Sequence, residues 1–261
     1  MKTNKTHIAF FQFQKSISVS KAIFLVLLMT SISLSVFAGP KNFPPKNEKD
    51  TLTSGKSQTG TNKDCDGRVI VHKGLIYKTV YYEKRCWLDR NLGAVEVPKS
   101  LNDRLGYGMY FQWGRTMDGH EDYGSQVSFL VSGIDNPGIG SFTTSNNPPY
   151  DWRAPQNDSL WQNNPCPEGW RIPTLNEWGE VISNLGSLWE AFNSPLKIPA
   201  SGFRNFSDGS YQQAGKRSLI WTSTSNEDKA YSVFFSSDEA IPRLQERAMG
   251  LPVRCIKQQR E

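Results

Sequence analysis

The first ordered pattern in the chain is that of short antiparallel β-strands. Residues 68–72 and 75–82 are rich in β-branched and aromatic side chains, and Lys73-Gly74 separates them as a turn. A third run of the same kind opens at Cys86-Trp87-Leu88. The pattern predicts a short meander over residues 65–92.

A second pattern, over residues 174–186, has the period of an amphipathic helix. Thr174 and Glu177 form a capping box at its start, and we expect Gly186 to cap its end. The apolar positions fall on one face, which we expect to be buried in the core: Trp178, Val181, Ile182 and Leu185. This is the one main helix that the sequence predicts.

Further strand patterns occur only near the end of the chain. Residues 218–222, 231–235 and 251–256 are rich in β-formers and are separated by polar stretches. Between residues 92 and 161, repeated glycines and prolines predict long irregular loops. One main helix, short antiparallel strands and long glycine-rich loops predict an α+β fold rather than a parallel α/β sheet.

Composition divides the chain into four parts. Residues 1–38 have a basic start and an uncharged apolar run that ends in Val36-Phe37-Ala38, so we predict a signal peptide cleaved before Gly39. The alternative is an uncleaved membrane anchor. No later apolar run is long enough to cross a bilayer. The other three parts are a flexible linker, a single domain and a tail, at residues 39–63, 64–257 and 258–261.

The charge distribution argues against nucleic-acid binding. The formal charge of +5 comes from lysines in the first 63 residues, since the chain from Asp64 onward carries 21 basic and 23 acidic residues. A nucleic-acid interface needs a basic surface that displaces counterions from phosphates. We therefore expect no nucleic-acid partner.

The four cysteines are Cys65, Cys86, Cys166 and Cys255. No C-x-x-C pair occurs and only two histidines follow the predicted signal peptide, so a Cys/His zinc site is poorly supported. Disulfides fit an exported protein better, with buried free thiols as the alternative. Sequence alone allows three pairings. We favour Cys65–Cys86, which would staple an N-terminal hairpin, and Cys166–Cys255, which would tie the second half to the last strand.

Six motifs occur in order along the predicted domain. They are CWLDRNLG from Cys86, YFQWGR from Tyr110, PYDWR from Pro149, CPEGWRIPT from Cys166 with Glu177-Trp178, WTST from Trp221 and VRC from Val253. Together they resemble the Fibrobacter succinogenes major paralogous domain, which is found in exported bacterial proteins. The resemblance covers residues 64–257 and implies a fold similar to that of C-type lectins and formylglycine-generating enzymes. It brings no established activity with it.

We expect most of these motif residues to serve the core. Arg171, Glu177 and Arg254 are expected to form a buried or semi-buried network that orders loops, rather than to act as catalytic acids or clamps. Indole rings bury a large area and their N–H groups can tie down a backbone carbonyl. On that ground we expect five tryptophans to be core or loop-pinning residues: Trp87, Trp113, Trp170, Trp178 and Trp221.

We expect no enzymatic activity. An enzyme resembling the formylglycine-generating oxidases would need two reactive cysteines near its C-terminal end, where this chain has only Cys255. A serine hydrolase would need a base and a G-x-S-x-G motif, but His72 is on a predicted strand, His120 is in an acidic loop and the motif does not occur. No spacing singles out the two carboxylates that glycoside hydrolysis uses.

Calcium is the one cofactor that the sequence suggests. Asp118, Glu121 and Asp122 offer hard oxygen ligands in a loop-rich region, although their order does not match an EF-hand. The alternative is a solvated acidic loop. The lectin calcium signatures Glu-Pro-Asn, Gln-Pro-Asp and Trp-Asn-Asp do not occur in the chain, so lectin-type sugar binding is not indicated.

The resemblance implies a ligand-binding face on residues 223–231 and 236–249, because proteins of similar fold present variable segments there. An ordinary solvated loop is the alternative for each candidate residue. A second candidate surface is the insertion at residues 117–152, which is longer than a connector needs to be. The eight candidates for ligand contact are polar or aromatic: Asn226, Glu227, Asp228, Tyr231, Asp238, Arg243, Gln245 and Arg247.

These observations predict an exported, disulfide-stapled, monomeric domain of C-type lectin-like architecture that binds a protein or glycan ligand. We expect it to be secreted, or held at the cell surface or in the periplasm. The alternatives are a structural cell-envelope protein without a dedicated ligand and, third, an enzyme of formylglycine-generating-like fold.

Overall fold

A computed structural model of the chain describes residues 65–259. The predicted signal peptide, the linker and the last two residues of the predicted tail lie outside this part. Within it the helices are α1 (Leu175–Ile182) and α2 (Leu188–Asn193), and two 3₁₀ turns cover Arg104–Gly106 and Asp158–Gln162. In chain order the strands are β1 (Val69–His72), β2 (Leu75–Tyr82), β3 (Arg85–Leu88), β4 (Phe111–Gln112), β5 (Val127–Ser128), β6 (Phe142–Thr143), β7 (Trp170–Arg171), β8 (Phe203–Arg204), β9 (Tyr211–Gln212), β10 (Ser218–Asn226), β11 (Lys229–Phe235), β12 (Ala240–Glu246), β13 (Gly250–Leu251) and β14 (Ile256–Lys257).

The strands form three antiparallel sheets and one parallel pair. Their orders are β1-β2-β3-β14-β7, β10-β11-β12 and β4-β13-β8-β9, and β5 pairs with β6. Both helices are short. This content confirms the predicted mixed α+β class and the short antiparallel strands.

The predicted N-terminal meander is confirmed. β1 and β2 are joined at the pair His72 and Leu75, and β2 continues into β3. Lys73 and Gly74 between them both have positive φ, at 47° and 79°. Two positive φ angles are what a tight type I′ hairpin turn requires, which explains the glycine in that position.

Helix α1 begins as the sequence predicts and ends earlier. The capping box is formed, since the Thr174 hydroxyl accepts from the Glu177 N–H and the Glu177 carboxylate accepts from the Thr174 N–H. The helix ends at Ile182 with Ser183 as its C-cap, so the expectation that Gly186 caps it is wrong. The chain must turn there because Leu188 N–H donates to the Ser236 carbonyl (2.7 Å).

Helix α2 is a second helix that the sequence analysis did not predict. Its N-cap Ser187 accepts from the Glu190 N–H, and Leu188, Ala191 and Phe192 are buried. The spacing of Ser187 and Glu190 is a capping signal of the same kind as in α1. At six residues the helix is too short for the apolar period to reveal it.

The C-terminal strands differ from the prediction in two places. β12 was not predicted because Pro242 interrupts its pattern, yet β12 is an edge strand, where a missing N–H is tolerated. The predicted single strand 251–256 is two strands in different sheets. β13 pairs with β4 and β8, whereas β14 pairs with β3 and β7.

Both favoured disulfides are present. Cys65 is joined to Cys86 with the Cα atoms 5.5 Å apart, and Cys166 is joined to Cys255 with the Cα atoms 5.9 Å apart. The first joins the segment before β1 to strand β3, and so links the two ends of the meander. The second joins the segment before β7 to the residue before β14, so it connects the middle of the domain to its end.

The expected core tryptophans are confirmed, and the expected network is confirmed in part: Arg171 pairs with Glu177, whereas Arg254 forms a separate set of hydrogen bonds. All five tryptophans are at most 5% exposed. Arg254 is fully buried, and its guanidinium donates to the carbonyls of Leu88 (3.1 Å) and Leu196 (2.8 Å) and to Asn91 Oδ1 (3.0 Å). These bonds tie three separate chain segments together.

Across residues 65–259, the structure contains no helix with the length and apolar character needed to cross a membrane.

Candidate functional site

The insertion at residues 117–152 is fastened to the rest of the domain by backbone hydrogen bonds. β5 and β6, both within it, form the parallel pair. Among the bonds that leave the insertion, the Ser145 N–H donates to the Phe206 carbonyl (2.9 Å), the Tyr150 carbonyl accepts from the Ala248 N–H (3.1 Å), and the Ser132 carbonyl accepts from the Ala154 N–H (2.8 Å). The insertion therefore presents its side chains from a defined backbone.

Large apolar side chains of the insertion face solvent. Five of them, within thirteen consecutive residues, expose between 39% and 75% of their surface. Scattered exposed apolar residues are normal, but a group this dense is typical of an interaction surface. We call these five residues the apolar strip: Val127, Phe129, Leu130, Ile134 and Ile139.

A small cleft adjoins the apolar strip. Its volume is about 280 Å³ and its walls include Phe129, Val131 and Pro149, with Asn146 and Asp151 among the polar lining residues. Small-molecule pockets usually have volumes of about 300–1,000 Å³. The cleft is thus at the small end, and it can accept a single side chain of a partner.

The insertion carries acids and no bases. Residues 117–152 contain five acidic residues and no lysine or arginine. Two of the five, Asp122 and Asp135, reach solvent, and Asp135 pairs with Arg153. Arg153 therefore neutralises Asp135, and Asp122 is the exposed acid of the insertion for which the described residues provide no ion pair.

Asp151 is buried at the base of the cleft. Burial raises the pKa of its carboxyl, while hydrogen bonds from Gln156 Nε2 (3.1 Å) and the Arg153 N–H (3.3 Å) act in the opposite direction. Arg247 Nη1 lies 4.0 Å from Asp151 Oδ2. A carboxyl held in this way orders the loop around it.

A second group of ionisable side chains lies deeper in the insertion. Asp118, His120 and Glu121 place one potential ligand atom each within 4.8 Å of the others. His120 Nε2 accepts from the Gln112 N–H (3.1 Å), so the ring proton is on Nδ1, which is 2.7 Å from Asp118 Oδ1 and 3.1 Å from Glu121 Oε2. The imidazole thus has partners at both nitrogens.

The acids of this group are already satisfied by protein donors. Asp118 Oδ2 accepts from Arg115 Nη2 (2.7 Å) and Nε (3.1 Å), and Glu121 Oε2 accepts from the Gly119 N–H (3.0 Å). Burial by itself would raise the pKa of Asp118, but the hydrogen bonds from His120 and Arg115 hold it well below its usual range. The same holds for Glu121, whose pKa is lowered chiefly by His120 against the effect of burial.

These contacts do not fit the calcium site that the sequence suggested. Asp118 and Glu121 do come together, but Asp122 is exposed and is not part of the group, where His120 stands instead. Calcium takes six to eight oxygen ligands. A cation here would have to displace Arg115 and the imidazole N–H, so the group is a hydrogen-bonded support for the insertion.

The candidate residues on β11 and β12 do not form one surface. Tyr231 is paired with Leu244, and Ser232 is paired with Arg243. Because neighbouring side chains of a strand point to opposite faces, Tyr231 lies on one face and Arg243 and Gln245 lie on the other. The Arg243 guanidinium stacks 3.5 Å from the ring centroid of Phe234 and pairs with Glu239.

The candidate residues in the turns are better placed for contact. Asn226 at the end of β10 and Glu227 in the following turn are exposed, and Asp228 beside them is half-buried. The Asp228 carbonyl accepts from Gln156 Nε2 (3.0 Å), which fixes the turn. Asp238 is exposed in the turn between β11 and β12. The two turns flank one sheet at different ends.

Arg247 is fully buried, which corrects the expectation that it contacts a ligand. The Trp113 N–H donates to the Arg247 carbonyl (3.0 Å), so the chain enters the core at this residue. The guanidinium carbon lies 4.8 Å from the Trp113 ring centroid, and Nη2 donates to Asp158 Oδ1 (2.7 Å) and the Glu227 carbonyl (2.6 Å). Arg247 therefore fixes the β10–β11 turn.

The apolar strip is the feature that residue-by-residue reasoning missed. Phe129, Leu130 and Ile134 lie in a segment whose glycines and serines conceal any period. The length of the insertion and its lack of lysine and arginine were the signals in the sequence that pointed to this surface.

Comparison with protein families, with curated proteins and with solved structures finds no match for the chain.

Proposed function

We propose that this domain is an extracytoplasmic binding module that recognises a protein partner through the apolar strip and its adjoining cleft. The observation that carries the proposal is the exposure of Phe129 and Leu130, at 75% and 74%, on a backbone-anchored insertion. Burying such a side chain is worth roughly 1.5–3 kcal/mol. A partner that covers the strip gains this free energy at little ordering cost.

The charge of the insertion indicates the chemistry of the partner. The strip lies in a segment without lysine or arginine, but the side chains of Asp118, Glu121 and Asp151 are buried and Asp135 pairs with Arg153. Only Asp122 among its five acids is therefore exposed without an ion pair to the described residues. Complementary charge speeds association and excludes wrong partners. Because most of this charge is used within the protein, the partner's contact segment is chiefly apolar, with one side chain seated in the cleft.

Two features support the proposal that the domain acts outside the cytoplasm. The two disulfides fit an oxidising compartment, and the residues that predict a signal peptide precede the described part. The six ordered motifs and the mixed α+β content fit the proposal that the domain is of the Fibrobacter succinogenes major paralogous type with C-type lectin-like architecture. We therefore propose a location outside the cytoplasm.

Peptide selection on the full secreted chain tests the proposal. Phage-displayed random peptides would be selected on the wild-type protein, and one enriched peptide would be synthesised for titration. We expect apolar and aromatic residues to dominate the enriched set. The double variant Phe129→Ser/Leu130→Ser should raise the dissociation constant at least about tenfold.

A matched control variant distinguishes a specific effect of the apolar strip from the effect of losing exposed apolar area anywhere on the domain. Val71 and Ile76 are 69% and 62% exposed on the meander, so Val71→Ser/Ile76→Ser removes similar apolar surface elsewhere. This variant should bind the peptide as the wild type does. Equal binding by the Phe129→Ser/Leu130→Ser variant would overturn the proposal, and envelope sedimentation of both proteins without peptide binding would favour the structural alternative.

A further inference from the structure

A polar groove lies outside the insertion. It has a volume of about 550 Å³, between the second 3₁₀ turn, the start of α1 and strand β10. The side chains that matter for its chemistry are Asp158, Gln162, Arg171, Ser223, Ser225 and Gln258. None of the five residues of the apolar strip lines it.

An irregularity in β10 opens this groove. The pairing of β10 with β11 shifts register between Trp221 and Ser225. Across the shift the chain is drawn toward α1, because the Ser223 N–H donates to the Pro173 carbonyl (2.9 Å) and Thr224 Oγ1 accepts from the Leu175 N–H (3.0 Å). Bulges of this kind redirect side chains, and here they turn hydroxyl groups to the groove.

The two charged side chains that line the groove, Asp158 and Arg171, each have an oppositely charged partner within the protein, although the Asp158 side chain is 80% exposed. Asp158 Oδ1 accepts from Arg247 Nη2 (2.7 Å). Arg171 donates through Nη1 and Nη2 to the two carboxylate oxygens of Glu177, at 2.7 Å each. A bidentate pair of this kind leaves little free charge for an ionic ligand.

Some of the uncharged polar side chains that line the groove, unlike the charged ones, have no partner among the described protein groups. Among the residues that the structure describes, the side chains of Gln162, Ser223, Ser225 and Gln258 make no hydrogen bond to protein. Amide and hydroxyl groups both donate and accept. They therefore face the groove with their hydrogen-bonding capacity available.

We infer that the groove is a binding site for a neutral carbohydrate, independent of the protein-binding strip. Sugar hydroxyls donate and accept hydrogen bonds, as the free amide and hydroxyl groups do, and a neutral ligand loses nothing where the charges are already paired. The volume suits a short oligosaccharide. All the contacts come from protein groups, so binding requires no cation.

The framework around the groove is held in place before any ligand binds. Asn164 accepts from the Cys166 N–H (3.1 Å) and donates to the Trp170 carbonyl (2.6 Å), next to the Cys166–Cys255 disulfide. The Gln258 N–H donates to the Gly169 carbonyl (2.8 Å). A preorganised site loses less entropy on binding.

An oligosaccharide array with the full secreted protein tests the inference. The array carries neutral oligosaccharides and sulfated or uronic acid-containing ones, and a chelator is present throughout. We expect neutral oligosaccharides to bind. Calorimetric titration of the best neutral sugar should show affinity reduced about 2- to 10-fold by Gln162→Ala or Ser225→Ala alone, and about 5-fold or more by both.

Two controls make the result specific. Gln126→Ala removes an exposed amide of the insertion and should leave sugar affinity unchanged, as should Phe129→Ser/Leu130→Ser. The inference is overturned if no neutral sugar binds, if only acidic sugars bind, or if the folded groove variant binds the sugar as the wild type does. Loss of sugar binding in the Phe129→Ser/Leu130→Ser variant alone would place the sugar on the strip and also overturn it.

Discussion

Trp113 and Trp221 each donate an indole hydrogen bond to the chain segment that carries the other. Trp113 Nε1 donates to the Thr222 carbonyl (3.0 Å), and Trp221 Nε1 donates to the Phe111 carbonyl (2.7 Å). Both rings are buried. The reciprocal pair fixes the β4 segment against β10, although more than a hundred residues separate them in the chain.

Replacing either indole by phenylalanine should destabilise the domain. Trp113→Phe and Trp221→Phe keep an aromatic ring but leave a buried carbonyl without its donor, at a cost of about 1–3 kcal/mol beyond the lost area. Denaturant unfolding measures the free energy. Trp189→Phe, at a position 62% exposed, is the matched control and should change little. Equal stability of all three variants would contradict a stabilising role for the two indole hydrogen bonds.

The two disulfides should differ in their contribution to stability. Cys166–Cys255 closes a loop of 89 residues and Cys65–Cys86 one of 21. By loop entropy, losing the longer link costs about 1 kcal/mol more. We expect Cys166→Ser/Cys255→Ser to unfold at lower denaturant concentration than Cys65→Ser/Cys86→Ser. The reverse order would show that native packing around the meander outweighs chain entropy.

Lowering the pH should reduce the free energy of unfolding of the domain, partly because Glu177 becomes protonated. Burial alone would raise the pKa of Glu177, but hydrogen bonds from Arg171 and the Thr174 N–H outweigh it and lower the pKa. A carboxyl with a lowered folded pKa contributes stability above its unfolded pKa of about 4.3, and the contribution is lost as pH falls through the folded pKa.

The variant Glu177→Gln should therefore show a flatter pH dependence. Below about pH 4.3 its free energy of unfolding should fall less steeply than that of the wild type. Glu180→Gln is the matched control, because the Glu180 carboxylate is 57% exposed. Urea unfolding across this pH range measures the difference. A slope for Glu177→Gln equal to the wild-type slope would contradict the assignment.

Calcium should not stabilise the domain. The carboxylates of Asp118 and Glu121 already accept hydrogen bonds from Arg115, His120 and the Gly119 N–H. Calcium at about 1 mM, a level that fills extracellular sites, should leave the unfolding temperature at its value in chelator. A rise with calcium that Asp118→Asn abolishes would instead establish a metal site there.

Local chemistry in the sequence was enough to predict several elements. The turn at Lys73-Gly74 and the capping box of Thr174 and Glu177 depend on neighbouring residues, and both are present. Helix α2 carried a similar signal in Ser187 and was overlooked because it is short. β12 was not predicted because its proline is tolerated only at a sheet edge, which is a tertiary property.

The placement of the candidate residues depended on distant contacts. The residues around Arg247 predict a solvated loop. Arg247 is nevertheless buried, because its carbonyl accepts from the Trp113 backbone N–H and its guanidinium donates to Asp158. Residues 251–256 form part of two sheets, since each end pairs with different strands. No local pattern encodes which distant segment a strand end will meet.

The sequence by itself determined the mixed α+β class of the fold and the residue types that fill the core, because these depend on composition and on neighbours in the chain. The tertiary structure alone decided which polar side chains are buried and which apolar ones remain outside. Phe129 and Trp113 are both aromatic, but only Trp113 has distant strands that cover it. Burial is a property of packing between remote segments, so the candidate binding surfaces emerged only from the fold.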